Sequence, residues 1–280
     1  MKLLVYAGQV ADGTLQGTIQ YCKDLEVDRV LVPLDLPSHA DLVPGYKEKG
    51  YVDVEDLQKV KQEIEDGGLS FSVMQLWPPL VVGASETEAR LGALYQSMEA
   101  MGQVGVEVLA LFVNVDPSVS PGDEEARWGL LVDFYRRLMA QAERSGVKIA
   151  LHTGAWLWSY EALVRLMRDV PSPCNGVTFC TGASWPSEGE GIYGMIRRLG
   201  EKVFFVHLRN VRIVPGEPHG LEVWFGSGQP DLSKAVQALR DIDYRGDMMA
   251  EHLPGVVGEN RYDIRTAFAI GYMKAVLQFG

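Results

Sequence analysis

Eight short apolar runs alternate with helix-like stretches from one end of this 280-residue chain to the other, and that alternation limits the available folds more than any other feature. The runs are KLLVYA (2–7), RVLVPL (29–34), LSFSVMQL (69–76), VEVLALFV (106–113), VKIALH (147–152), NGVTFC (175–180), KVFFVH (202–207) and GDMMAE (246–251). Most are apolar at nearly every position rather than at every second one, the pattern of parallel strands covered on both faces. Between them lie segments such as VEDLQKVKQEIEDGG and ARWGLLVDFYRRLMAQAERSG, with apolar residues three and four apart and a glycine near the end. DLSKAVQALRDIDY and RTAFAIGYMKAVLQ supply the last two helices. Eight strand–helix pairs in this length predict an α/β protein, a (β/α)8 or TIM barrel, with residues 1–280 forming one domain. A doubly wound open sheet competes, but it commonly has fewer strands, and no Gly-rich dinucleotide fingerprint follows the first run.

Composition narrows the partners. A net charge of −11 argues against a nucleic-acid surface, which would cluster Lys and Arg, and it means that an anionic substrate needs a local cation. The three cysteines, Cys22, Cys174 and Cys180, are odd in number and show no CxxC spacing, so a reducing cytoplasm is expected and a disulfide framework is not. No segment approaches the ~20 apolar residues of a membrane span. The opening MKLLVYAGQV reads as a first strand rather than a signal segment. The closing AFAIGYMKAVLQF could cover the barrel or a second copy of the chain, which leaves a homo-oligomer open.

The polar residues of the strand ends are where chemistry collects. The barrel map puts His152 at the end of strand five, Cys180 at strand six, His207 at strand seven, and Glu251 with His252 at strand eight. These ends are consecutive around the C-terminal rim, the face that carries barrel active sites. Two imidazoles, a thiolate and a carboxylate suit a divalent first-row ion, with Mn2+ expected and Fe2+, Co2+ or Zn2+ as alternatives. The thiolate argues against Mg2+ and Ca2+, which take oxygen ligands. A single buried cysteine is commonly a small hydrophobe, and a single rim histidine is commonly just hydrogen-bonded. What singles this set out is that three of only five histidines and one cysteine fall on four adjacent ends. His39 and His219 lie in long loops and read as exposed or rim residues.

NGVTFCTG followed by FFVHLRNV resembles the paired signature of the mannonate dehydratases, a metal-dependent branch of the xylose isomerase-like barrels. The similarity of order and spacing is clearest from His152 onward. The resemblance implies a barrel that binds Mn2+ or a similar ion through His152, Cys180, His207 and Glu251, and that dehydrates a sugar acid, D-mannonate, to a 2-keto-3-deoxy acid. It further implies proton transfer by His252 and Tyr262 and a substrate contact from Arg209. The chain departs from the family in three ways: EHLPG stands where Asp-His-Gly is usual, HTGAW stands where Pro-Asp-Asp follows the strand-five histidine, and the chain is shorter.

Other residues are read from position. Arg209 and Arg212 could each fork onto a substrate carboxylate. Gln75, ending strand three, and Asn114, with Asp116, after strand four are candidates for hydroxyl recognition. Trp156 and Trp158 would form an apolar pocket wall, and Trp77, Trp185 and Trp224 occupy presumed rim loops. In the mechanism expected, the ion stabilises the enediolate formed when the proton beside the carboxylate is lost, and His252 and Tyr262 divide the acid and base roles. The same chemistry would serve a sugar isomerase or epimerase, although that group commonly has two metal-binding glutamates and here Glu251 is the only acid at the four ends. A metal-binding barrel without catalysis is the third reading.

Overall fold

The computed structural model describes residues 1–34, 42–152, 159–255 and 262–280. Eight parallel strands close on themselves in chain order: β1 (Lys2–Tyr6), β2 (Arg29–Leu34), β3 (Ser70–Leu76), β4 (Val108–Leu111), β5 (Lys148–His152), β6 (Asn175–Cys180), β7 (Val203–Leu208) and β8 (Asp247–Ala250). Pairing of β1 with both β2 and β8 closes the ring. Around it lie α1 (Leu15–Asp24), α2 (Val54–Asp66), α3 (Thr87–Val104), α4 (Glu124–Ser145), α5 (Tyr160–Asp169), α6 (Thr181–Glu188), α7 (Ile192–Leu199), α8 (Leu232–Asp241) and α9 (Tyr262–Phe279). The chain is therefore the (β/α)8 barrel that the alternation predicts.

Many helix starts are fixed locally. Thr14, Asp53, Asp123, Ser159 and Asp231 each accept a backbone N–H of the first turn, satisfying a donor that the helix itself leaves unpaired. The barrel then has two apolar cores. Alternate strand residues point outward and pack under the helices, as Val206, Leu208 and Met248 do. The intervening ones point inward, where Leu4, Leu31, Val73, Val108, Ala110, Ala150, Phe205 and Met249 fill the barrel axis. At the N-terminal end, Asp247 closes the interior. Its carboxylate accepts from Ser72 Oγ at 2.5 Å and pairs with Arg29 Nε at 3.4 Å.

One expectation needs correction. The run 106–113 is not one strand: β4 stops at Leu111, and Val113–Val115 forms a separate parallel pair with Leu80–Val82 on the rim. An unbroken apolar run cannot signal where the backbone leaves the ring, because the rim pair is buried too. After β6 the chain enters α6 directly at Thr181, with Cys180 as its N-cap. Among the described residues, no helix is long and apolar enough to cross a membrane.

Candidate metal centre

Side-chain alternation along a strand carries the inner face upward from the core to the rim. Two residues beyond Ala150 is His152, two beyond Phe205 is His207, two beyond Met249 is Glu251, and two beyond Thr178 is Cys180. The strand register then brings them level. Cys180 lies opposite His207, and His207 lies opposite Met249. Glu251 continues the ladder past the end of β8 by donating its N–H to Leu208 O.

One donor atom from each of His152, Cys180, His207 and Glu251 lies within 4.8 Å of the others. Glu251 Oε2 is 3.0 Å from His207 Nδ1, 3.5 Å from Cys180 Sγ and 3.9 Å from His152 Nε2. Bonds of about 2.0–2.3 Å to a shared ion leave neighbouring donors about 3–4 Å apart, so these spacings suit one cation. His207 is fully buried, yet neither of its ring nitrogens makes a hydrogen bond of acceptable geometry. Such a group is costly to bury unless something else satisfies it, and a cation at the common focus would. The donor set, two nitrogens, a sulfur and an oxygen, selects for a transition ion over Mg2+ or Ca2+.

The electrostatics agree. Burial works against ionising Glu251, but His207 and then His152 hold its carboxyl well below the usual carboxylate range. Burial and the Glu251 carboxylate push the Cys180 thiol up. A dication would reverse that, since a coordinating thiol loses its proton. The sulfur also sits at the start of α6 and accepts the Ala183 N–H at 3.4 Å, an environment that favours negative charge.

Above these four residues opens a cavity of about 470 Å3, within the range of small-molecule sites. Gln75, Asn114, Arg209, His252 and Tyr262, all expected at the site, line it. Gln75 Oε1 is buried without a hydrogen bond. Arg209 is held from three sides. The Thr181 hydroxyl accepts its N–H at 2.9 Å and donates to its carbonyl at 2.7 Å, and Glu222 Oε1 pairs with its guanidinium at 3.1 Å. Gly182 leaves the space its side chain occupies, because a Cβ there would stand 2.6 Å from Arg209 Cγ. His252 has a left-handed backbone, φ +50, uncommon for a residue with a side chain. That departure from extended geometry lets consecutive Glu251 and His252 both face the cavity instead of alternating.

The remaining candidates divide. Arg212 is exposed and donates to Ser227 O at 2.9 Å, and Asp116 caps the turn at Ser118, so neither lines the cavity. Trp77 lines it, packed edge-on against Phe112, which stacks on His152 with ring centroids 4.4 Å apart. Trp185 and Trp224 instead pack on Tyr193 and Phe268 away from it. His219 is exposed. Trp156, Trp158 and His39 lie outside the described residues.

Tyr6, Phe112 and Glu222 are among the lining or supporting residues that had not been expected. Tyr6 was findable, since it follows Leu4 on the inner face of β1; burial, the Glu251 carboxylate and Tyr262 push its phenol up. Glu222 had no signal. It lies far along the β7–α8 connection, in a hairpin of two-residue strands, Val211–Arg212 and Leu221–Glu222.

A family model described as xylose isomerase-like TIM barrel matches residues 19–266. Mannonate dehydratase of Thermotoga petrophila is 32% identical over 167 residues, a match spanning 55% of this chain and 44% of that protein, so the chain covers less than half of that enzyme. Among solved structures, the mannonate dehydratase from Streptococcus suis serotype 2 superposes with a TM-score of 0.75 at 19% identity, covering 99% of this chain and 93% of that one. A D-tagatose 3-epimerase-like protein superposes with a TM-score of 0.74 at 15% identity, covering 99% and 97%. At such identities the superpositions speak for the fold.

Proposed function

The chain belongs to the xylose isomerase-like TIM barrel family, and from that premise we propose that it is a metal-dependent sugar-acid dehydratase acting on an aldonic acid such as D-mannonate. The observation that carries this reading is the convergence of His152, Cys180, His207 and Glu251 beneath a cavity that also holds Arg209 and His252. Mn2+ is the expected ion. A divalent ion held there would supply Lewis acidity toward negative charge developing at the substrate carboxylate and neighbouring hydroxyl.

The chain's own groups do the rest. Arg209 supplies the cation that a net-acidic protein needs for an acid substrate, and its guanidinium fork matches a carboxylate. Gln75 and Asn114 orient hydroxyls, while Trp77 and Phe112 wall the cavity against water. Of His252 and Tyr262, one takes the proton from the carbon beside the carboxylate. The electrons of that C–H bond form a carbon–carbon double bond, and the hydroxyl on the next carbon departs as water after receiving a proton from the other residue. The resulting enol takes up a proton on carbon and becomes the 2-keto-3-deoxy acid. All three cysteines are buried and free, in keeping with a cytoplasmic location.

The test is turnover. Metal-loaded protein is incubated with D-mannonate and with a panel of ketoses, and keto-acid formation and ketose interconversion are both measured. Keto acid that disappears on chelation and returns with added metal supports the proposal. Ketose interconversion without keto acid would assign the site to isomerase or epimerase chemistry, and bound metal with neither product would overturn an enzymatic role for these substrates. A second expectation concerns Gly182→Ala. The new methyl would stand under 3.0 Å from Arg209 Cβ, Cγ and Cδ and displaces the guanidinium from its place, so the KM for the sugar acid rises about tenfold, on the order of 1.4 kcal/mol of lost binding. Steady-state kinetics read this directly.

A further inference from the structure

We infer that Glu222 is a positioning residue, a carboxylate that orients His252 and Arg209 together so that His252 presents Nε2 to the substrate. The inference rests on the dehydratase reading for its kinetic consequence but not for the geometry. Glu222 Oε1 is 2.6 Å from His252 Nδ1 and 3.1 Å from the Arg209 guanidinium, so one oxygen ties the two cavity residues together. A separation of 2.6 Å requires a hydrogen between the atoms, and an ionised carboxylate has none to give, so Nδ1 carries it. The other ring nitrogen, Nε2, is turned toward the cavity side, 3.5 Å from Glu251 Oε1. A carboxylate that fixes imidazole orientation in this way is a recurrent device in acid–base sites.

The placement of Glu222 is built, not incidental. Val211 pairs with Glu222 and Arg212 with Leu221, so the hairpin folds the carboxylate back beside the strand end that carries Arg209. Asn210 locks the base of the connection. Its carbonyl accepts the Val223 N–H at 3.1 Å, its amide donates to Pro230 O at 2.7 Å, and its Oδ1 accepts from Gly228 N at 2.6 Å. His252, in turn, is held in its left-handed backbone conformation at the cavity edge. Its half-exposed ring needs a partner to keep one orientation, and Glu222 provides it.

The test has a spectroscopic arm and a kinetic arm. Long-range 1H–15N correlation of the histidine rings, in protein loaded with diamagnetic Zn2+, should show His252 carrying its hydrogen on Nδ1, with the resonance assigned by its loss in His252→Ala. Glu222→Ala should remove that preference, and Glu222→Gln, which keeps an acceptor oxygen, should largely retain it. In turnover, Glu222→Ala should lower kcat about 10- to 100-fold, part of the range acid–base groups supply, and the double variant Glu222→Ala/His252→Ala should be no slower than His252→Ala alone. An unchanged His252 ring signature in Glu222→Ala, or fully additive kinetic losses, would overturn the inference. Wild-type protein that turns over none of the substrates would defeat the dehydratase reading, and the ring signature would still decide the role of Glu222.

Discussion

Protein carrying His207→Ala is expected to lose its divalent ion and all metal-dependent turnover while remaining folded. His207 is fully buried, as Cys180 is, and lies 3.0 Å from Glu251 and level with Cys180 on the neighbouring strand. It is also the first of the neighbours that hold the Glu251 carboxyl low against burial. Loss of a group that only supports a ligand commonly costs about 10- to 100-fold in metal affinity, so loss of the ligand itself is expected to cost at least about 100-fold. The ring also packs on Phe205 and His152, and the alanine leaves a small void within an otherwise intact ring of strands. Metal titration with a competing chelator, alongside a circular dichroism spectrum, separates the two effects. Wild-type affinity in the variant would remove His207 from the ligand set.

His252→Ala is expected to do the opposite: full metal stoichiometry with kcat lowered by about 10²–10⁴, the usual contribution of a positioned acid or base. His252 is half exposed at the cavity edge, beside the four donors rather than among them. Its replacement therefore leaves the metal-facing atoms of His152, Cys180, His207 and Glu251 where they are. Because the hydrogen-bonded Glu222 carboxylate loses one partner and keeps Arg209, substrate affinity should change less than turnover. Metal content by mass spectrometry and keto-acid formation, measured on one preparation, check both halves. A variant that retains full kcat would show that His252 handles no proton in the rate-limiting chemistry.

The barrel and its rim quartet were legible because parallel strands announce themselves. NGVTFC predicts a strand over 175–180 and forms β6 with those limits, bounded by a proline-containing turn before it and by the helix that Cys180 caps after it. Where strand ends were readable, the period of two carried His152, Cys180 and His207 onto one inner face. Legibility failed where the backbone does something that apolar patterning cannot encode. VEVLALFV runs through the point at which β4 leaves the ring, and both sides of that point are buried. Glu222 reaches the cavity through a hairpin with two-residue strands, too short to leave a periodic trace. Arg212 sits only three residues from Arg209, yet it faces out and donates to Ser227 O from the hairpin strand that pairs with Leu221–Glu222. Tyr6 shows a subtler gap: its apolar neighbours made β1 read as core alone, though the inner-face period places it at the rim beside Glu251.

Whether a thiolate, two imidazoles and a carboxylate share one ion is read by X-ray absorption at the zinc edge of protein loaded with Zn2+. The expected spectrum has a single sulfur neighbour at about 2.3 Å together with nitrogen and oxygen neighbours at about 2.0–2.2 Å, and Cys180→Ser loses the sulfur shell. A spectrum with no sulfur shell in the wild-type protein, or one unchanged in Cys180→Ser, would contradict it.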